Sequence, residues 1–509
     1  MGRSGLRAAL GLLLVLLTGL SVPAAAPAAR DLEVGIADDA VFLHRPAQAP
    51  RIVRRWKALG VEVARVHARW IVIAPRPHDR RPPRGFNATA HTDPGYNWAT
   101  LDLAVDTLRA AGIRPMVSIT GSGPLWTSLE PRRGNHRWKP DPAQFAAFAH
   151  AVATRYRGRV HRYIVWNEPN QAAWLQPQFT CRRGRCTPFS PHHYRRLYRS
   201  AYDAVKRVDP GAQVLTGALA PKGSNPRRPN AAMRPLTFLR AMSCVSERYR
   251  RLRSGGCPRQ GALRTDGLAY HPHGVQRAPD QRNPQRDEAG LADLPRLKAA
   301  LDRSVARGIL RGPSRRRPLD LYLTEYAYQT NPPDRAIGVS LAKQARWLAQ
   351  SSYLAWRDPR VRTLAHYEWR DEKISRKAPT GTRAYASWQS GLLFADGRRK
   401  PALAVFPNPL WAFTSGARVR LWGQVRPGEG RTGVVVLRRR AGSRTARPVA
   451  RVRTDRRGVW TTSLSRRGAR RGDTYAFRYV LPPAVTGRAT PLRRTTPALR
   501  PAGVRPRTR

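Results

Sequence analysis

A chain of 509 residues with 41% hydrophobic side chains can bury a large core, which excludes a disordered polypeptide and leaves room for more than one domain. Its formal charge is +61, yet only nine of the 93 basic residues are lysine, and the arginines are scattered through every part of the chain. That spread is not the single basic stripe of a specific nucleic-acid reader; it fits an acidic polysaccharide or cell surface, and equally a genomic preference for arginine codons.

The chain opens with Arg3 and Arg7, an apolar run over 8–20 and small residues over 24–29. This is the three-part pattern of a secretory signal peptide, so residues 1–29 are expected to be removed and the mature protein to be secreted and extracellular. No later stretch approaches the roughly 20 apolar residues of a membrane span. Residues 32–36 read as a first strand and 51–59 as a helix stopped by Gly60. A second strand over 61–66 carries Arg65, which needs an acidic partner if buried, and Trp70 lies just past it. The segment 74–97 is rich in Pro, Gly and Arg, a long loop of the kind that serves binding.

A helix over 100–111 and a strand over 113–119 follow, and then a loop with Trp126, which either stacks on a ligand ring or plugs the structure beneath it. The next helix has Asp141 as its cap, Pro142 in the first turn, and Phe145, Phe148, Ala149, Val152 and Tyr156 on one face. The strand over 160–166 is cut off by Asn167-Glu168-Pro169, because proline neither donates to a ladder nor lets its predecessor turn helical. Glu168 thus stands at a strand tip, as a structural ion-pair partner or as an active-site acid.

The loop 169–189 holds Cys181, Cys186 and Trp174, and leads to a helix capped by Ser190. A strand over 213–217, the second cysteine pair Cys244 and Cys257, and a strand over 267–270 come next. Two local disulfides suit an oxidising compartment; zinc is the alternative, without a matching ligand spacing. The strand over 267–270 runs into His271-Pro272-His273, two histidines at one tip. The strand over 319–324 ends on Glu325, a helix over 337–356 follows, and an eighth strand over 361–367 has Trp369 just beyond it.

Two carboxylates that each end a buried strand are what glycoside hydrolysis needs, one protonated to release the leaving group and one ionised to attack. The motifs WNEPN (166–170) and LTEY (323–326), about 157 positions apart from glutamate to glutamate, resemble those of the retaining glycoside hydrolases of clan A, which include families five and thirty-nine. The resemblance implies a (β/α)8 TIM barrel over 30–412, with Glu168 as acid/base at strand four and Glu325 as nucleophile at strand seven. It further implies Arg65 beside the nucleophile, Asn167 on the sugar 2-hydroxyl, His271 at the tip of strand six, and Trp369 as a floor for the sugar. His273 stands where those enzymes usually place a tyrosine.

Residues 413–481 alternate in short runs separated by turns and read as a small β-sandwich, in which Trp460 belongs to the core or to a carbohydrate-binding face. The basic, proline-rich segment 482–509 reads as a disordered tail. The sequence thus points to a monomeric glycosidase acting on a carbohydrate substrate, needing no metal or organic cofactor. The alternatives are a catalytically silent barrel that binds polysaccharide, and an arginine-rich nucleic-acid binder.

Overall fold

The computed structural model describes residue 29 and residues 31–257, 261–314, 316–374, 387–428, 430–470, 472–481 and 492–501. Residues 1–28 of the expected signal peptide lie outside the described residues, as do 482–491 and 502–509 of the expected tail.

Eight strands form a closed parallel barrel: β1 Glu33–Ala37, β2 Val63–Arg69, β3 Arg114–Thr120, β4 Arg162–Val165, β5 Gln213–Leu219, β6 Leu268–Tyr270, β7 Leu321–Tyr326 and β8 Val361–Tyr367. Each pairs with its neighbour in sequence, and β8 returns to β1 with Glu33 opposite Thr363 and Ala37 opposite Tyr367. The main helices between them are α1 Ala49–Ala58, α2 Ala99–Ala110, α3 Pro142–Arg155, α4 Ser190–Val208, α5 Pro235–Met242, α6 Leu294–Arg307 and α7 Leu341–Arg357, with a single turn, α8 Ala402–Val405, after β8. This is the TIM barrel that the clan A resemblance implies.

The helices have local causes. The Asp141 side chain accepts from the Ala143 amide and starts α3, and Ser340 does the same for α7 through the Lys343 amide. At α4 the expected cap is displaced by one residue: Ser190 is already helical, and its hydroxyl donates instead to Gln178 Oε1 at 2.9 Å. The buried face of α3 carries Phe145, Phe148, Ala149 and Val152 of the stripe seen in the sequence, and that of α4 carries Tyr194, Leu197, Tyr198, Ala201 and Val205.

Val63, Met116, Ile164, Leu215, Ala269 and Tyr322 fill the barrel interior. The N-terminal end is sealed by Glu33, whose carboxylate holds Arg162 at 2.7 Å and Arg114 at 3.0 Å and accepts from the Thr363 hydroxyl. Cys181–Cys186 bridges a hairpin of strands Phe179–Arg182 and Arg185–Pro188, and Cys244–Cys257 closes the second local loop, so all four cysteines are paired.

The C-terminal region is a sandwich of two antiparallel sheets. One holds β9 Leu410–Ser415, β10 Arg418–Gln424 and β13 Val459–Ser465; the other holds β11 Gly433–Arg439, β12 Ala446–Arg453, β14 Thr474–Leu481 and β15 Leu492–Thr495. Trp460 is 2% exposed and packs edge-on to Phe477, so it belongs to the core and not to a sugar-binding face. Strand β15 lies inside the segment read as a disordered tail. Composition missed it because an edge strand needs backbone hydrogen bonds to β14 more than it needs apolar side chains.

Strand β9 begins before residue 412, so the sequence boundary cuts through the sandwich. The join is also larger than a linker implies. Trp411, Phe413 and Trp422 pack on Tyr353 and Trp356 of α7, and the buried Arg426 donates to Phe406 O at 2.8 Å. Burying each large apolar side chain contributes roughly 1.5–3 kcal/mol, so the barrel is not expected to stand alone. A chain ending at Asn408 should aggregate or melt more than about 10 °C below the intact protein. Cooperative melting of that fragment within about 3 °C of the full chain, followed by scanning calorimetry, would show the two parts to be independent.

Candidate active site

Glu168 leaves the barrel rim on a strained turn. Trp166 and Glu168 both have positive φ, at 71° and 39°, a conformation that costs a non-glycine residue of order 1 kcal/mol or more. The surroundings hold it: the Asn167 amide donates to Thr120 Oγ1 at 3.0 Å, the Glu168 amide to Ala218 O at 3.0 Å, and the Trp166 ring is fully buried against Phe145. Gly121 is required opposite, since a Cβ there would sit 2.3 Å from the Trp166 ring.

Glu325 comes from the end of β7, and its partners come from three other strands. The Arg65 guanidinium from β2 reaches Glu325 Oε1 directly, and its other nitrogen lies 3.7 Å from Asp39 Oδ2. From the tip of β6, His271 Nδ1 is 3.5 Å from Glu325 Oε2 and 3.0 Å from Glu168 Oε1. His273 Nε2 is also 3.5 Å from Glu325 Oε2. Tyr367, the last residue of β8, has its ring 5.9 Å from that of His273. It lies close enough to Glu325 for the carboxylate charge to add to burial in pushing its phenol well above the usual value.

Two oxygens at 3.0 and 3.5 Å from one nitrogen are at most 6.5 Å apart, the sum of the two distances. The two glutamates therefore face each other across His271. Burial alone would raise the Glu325 pKa; His271, the Arg65 charge and the hydrogen bond from His273 outweigh it and hold the carboxyl well below the usual range. Glu168 is not sealed among apolar side chains: its side chain is 20% exposed and its close polar neighbour is His271.

His67 and Asp39 were not singled out in the sequence. His67 Nδ1 donates to Asp39 Oδ2 at 2.6 Å, and its Nε2 lies 3.3 Å from Asn167 Oδ1, which ties the residue before Glu168 to the end of β1. Burial would raise Asp39, but His67 and Arg65 bring it down to about 2. A signal for His67 was present. It sits two places after Arg65 on one strand, and period two puts both on the same face.

Of the two tryptophans proposed for the sugar, neither is free to stack. Trp369 is 2% exposed and packs edge-on to Trp56 of α1, with Arg55 over its ring, on the helix side of the barrel wall. Trp126 is 8% exposed, donates to Pro75 O at 3.0 Å and packs edge-on to Phe86, pinning the loop 74–97. The half-buried Trp388 lies beside the carboxylate cluster instead. Its ring lies 5.0 Å from His273 and 5.2 Å from Tyr367. No periodic pattern marks residues 387–390, which is why the sequence did not reveal it.

His271, His273 and Glu325 each offer one ligand atom within 4.8 Å of the others, the geometry of a small cation site. The donors do not suit one. The Ala327 amide donates to His273 Nδ1 at 3.3 Å, which leaves the ring hydrogen on Nε2, and the Arg65 cation already occupies Glu325.

No protein-family model matches the chain, and no curated protein matches it in sequence. Solved structures do resemble it in fold. A glucosidase from Croceicoccus marinus aligns over 86% of this chain and 94% of its own at 15% identity and a TM-score of 0.48. A protein of type GH5_18 from Streptomyces cattleya, solved with GlcNAc, aligns over 74% and 78% at 18% identity and 0.47. The β-glycosidase of Thermosphaera aggregans aligns over 74% and 95% at 15% identity and 0.42. At this level of similarity the functional reading rests on the geometry of the site.

Proposed function

We propose that the protein is a retaining glycoside hydrolase that cleaves O-glycosidic bonds by double displacement. The observation that carries the reading is the meeting of Glu168 and Glu325 at His271 Nδ1, which keeps their nearest oxygens within 6.5 Å. Retaining enzymes hold the two carboxyls roughly 5–5.5 Å apart, and inverting enzymes roughly 6.5–9.5 Å to admit a water.

In this reading Glu325, held ionised by Arg65, attacks the anomeric carbon and the glycosidic oxygen takes a proton from Glu168. Water then cleaves the glycosyl ester with Glu168 as base. Asn167, oriented by His67, donates to the 2-hydroxyl, and Trp388 supplies the apolar wall. Two disulfides, and the absence among the described residues of any helix long and apolar enough to cross a membrane, fit a secreted protein.

The configuration of the first-formed product tests the mechanism. Proton NMR during hydrolysis of an aryl glycoside should show the anomer of the substrate appearing first, with mutarotation following. Prompt appearance of the opposite anomer would assign an inverting mechanism, and no turnover on a broad panel of aryl glycosides and polysaccharides would favour a silent binding barrel.

A further inference from the structure

The sheet formed by β12, β11, β14 and β15 has one face in the sandwich core and one facing outward. Val434, Val436, Phe477 and Tyr479 point inward and are buried. Their neighbours in sequence define the other face by strand alternation. Register places Arg451 and Arg478 on either side of Val435, Arg453 opposite Gly433, and Arg493 opposite Val480. All four arginines are exposed, and none makes an ion pair among the described residues. Asp455 and Asp473, the acidic residues of the described part of this domain, are engaged in turns, accepting from the Val459 and Ala441 amides.

Strand spacing puts Arg451 and Arg478 roughly 10 Å apart and Arg451 and Arg453 roughly 7 Å apart. Like charges so arranged on one sheet face repel and weaken the sheet. We propose that this face is a docking surface for an acidic polysaccharide, whose carboxylates recur at intervals of one to two sugars and relieve that repulsion. Single-stranded nucleic acid is disfavoured because the aromatic residues of β14, Tyr475, Phe477 and Tyr479, all point into the core and leave no ring for base stacking. Among the described residues Val480 is the one large apolar side chain exposed on the face, too little for insertion into a lipid surface.

The choice of a polysaccharide rests on the reading of the barrel as carbohydrate-active, but the test does not, because it measures binding without turnover. Full-length protein is titrated with polygalacturonate, with its fully methyl-esterified form and with duplex DNA, from about 50 to 200 mM salt. Arg451→Gln/Arg453→Gln/Arg478→Gln/Arg493→Gln should weaken polygalacturonate binding at least about tenfold and lower the log–log salt slope by about 3, near 0.7 per lost contact. A control with the same charge change on the barrel, Arg109→Gln/Arg157→Gln/Arg207→Gln/Arg307→Gln, should alter affinity less than about twofold. The double variant Arg451→Gln/Arg478→Gln should give about half the slope change, should the quadruple one fail to fold. Equal losses in the sheet and barrel variants, unchanged binding of the esterified polymer, or DNA binding as tight as polygalacturonate would each overturn the assignment.

Discussion

Glu325→Ala is expected to lower turnover by at least about 10⁴-fold, some 5.5 kcal/mol of barrier, because the proposed mechanism makes Glu325 the nucleophile. Azide, which fits the space left by the carboxylate, should restore activity and give a glycosyl azide of inverted configuration. Glu168→Ala should behave differently. Substrates with good leaving groups need no proton and should lose little in the first step, whereas poor leaving groups should lose most of their rate, and azide should then give the retained product. If Glu325→Ala keeps more than about a hundredth of the activity, or if azide gives the same configuration with both variants, the nucleophile is misassigned.

The second large effect is expected from Arg65→Met. Arg65 is 2% exposed and answers two carboxylates, Glu325 and Asp39. Both are depressed in the folded protein, Asp39 to about 2 and Glu325 well below its usual range. Depressed carboxyls contribute stability that is fully present above the unfolded value near 4 and is lost as pH falls through the folded one, so the wild-type site stays charged at any mildly acidic pH.

Without the guanidinium, burial acts on Glu325 with less opposition, and its pKa rises. The acid limb of kcat/KM should move up by more than one pH unit, and kcat/KM at neutral pH should fall roughly 10²–10³-fold. Removing one partner of a buried pair also destabilises by about 3–5 kcal/mol, so the melting temperature at pH 7 should drop and partly recover on acidification, the reverse of the wild type. Arg65→Lys should not rescue, since a compact ammonium cannot span Glu325 and Asp39 together. An unmoved acid limb with activity within about threefold of wild type would remove Arg65 from the site.

The barrel was legible because each strand–helix pair carries its own punctuation: Gly60 after α1, Asp141 before α3, Pro169 after β4. Both carboxylates were legible for the same reason, as each interrupts an apolar strand. What failed was side assignment. Trp369 lies just beyond a strand tip whose backbone turns at Glu368, with φ of 74°, and the indole goes to the helix layer while Tyr367 and Trp388 face the site. A one-residue change in direction at a rim is invisible to periodicity. Asp39 was missed because its role depends on a contact with His67, 28 residues away, that only the pairing of β1 with β2 creates.

Closure of the barrel, by β8 on β1, sets an order in time. Glu33 is held by Thr363, 330 residues downstream, and Glu62 by Arg457, 395 residues downstream. During synthesis β1 can pair with β2 almost at once, but its other edge has to wait for β8. Until then it presents a row of unpaired amides and carbonyls, a template for another copy of the same chain. Contacts of such sequence separation also slow the final step. The yield of active protein is therefore decided in the interval between release of the first strand and arrival of the eighth, and chaperones that shield the open edge should raise it without altering the finished enzyme.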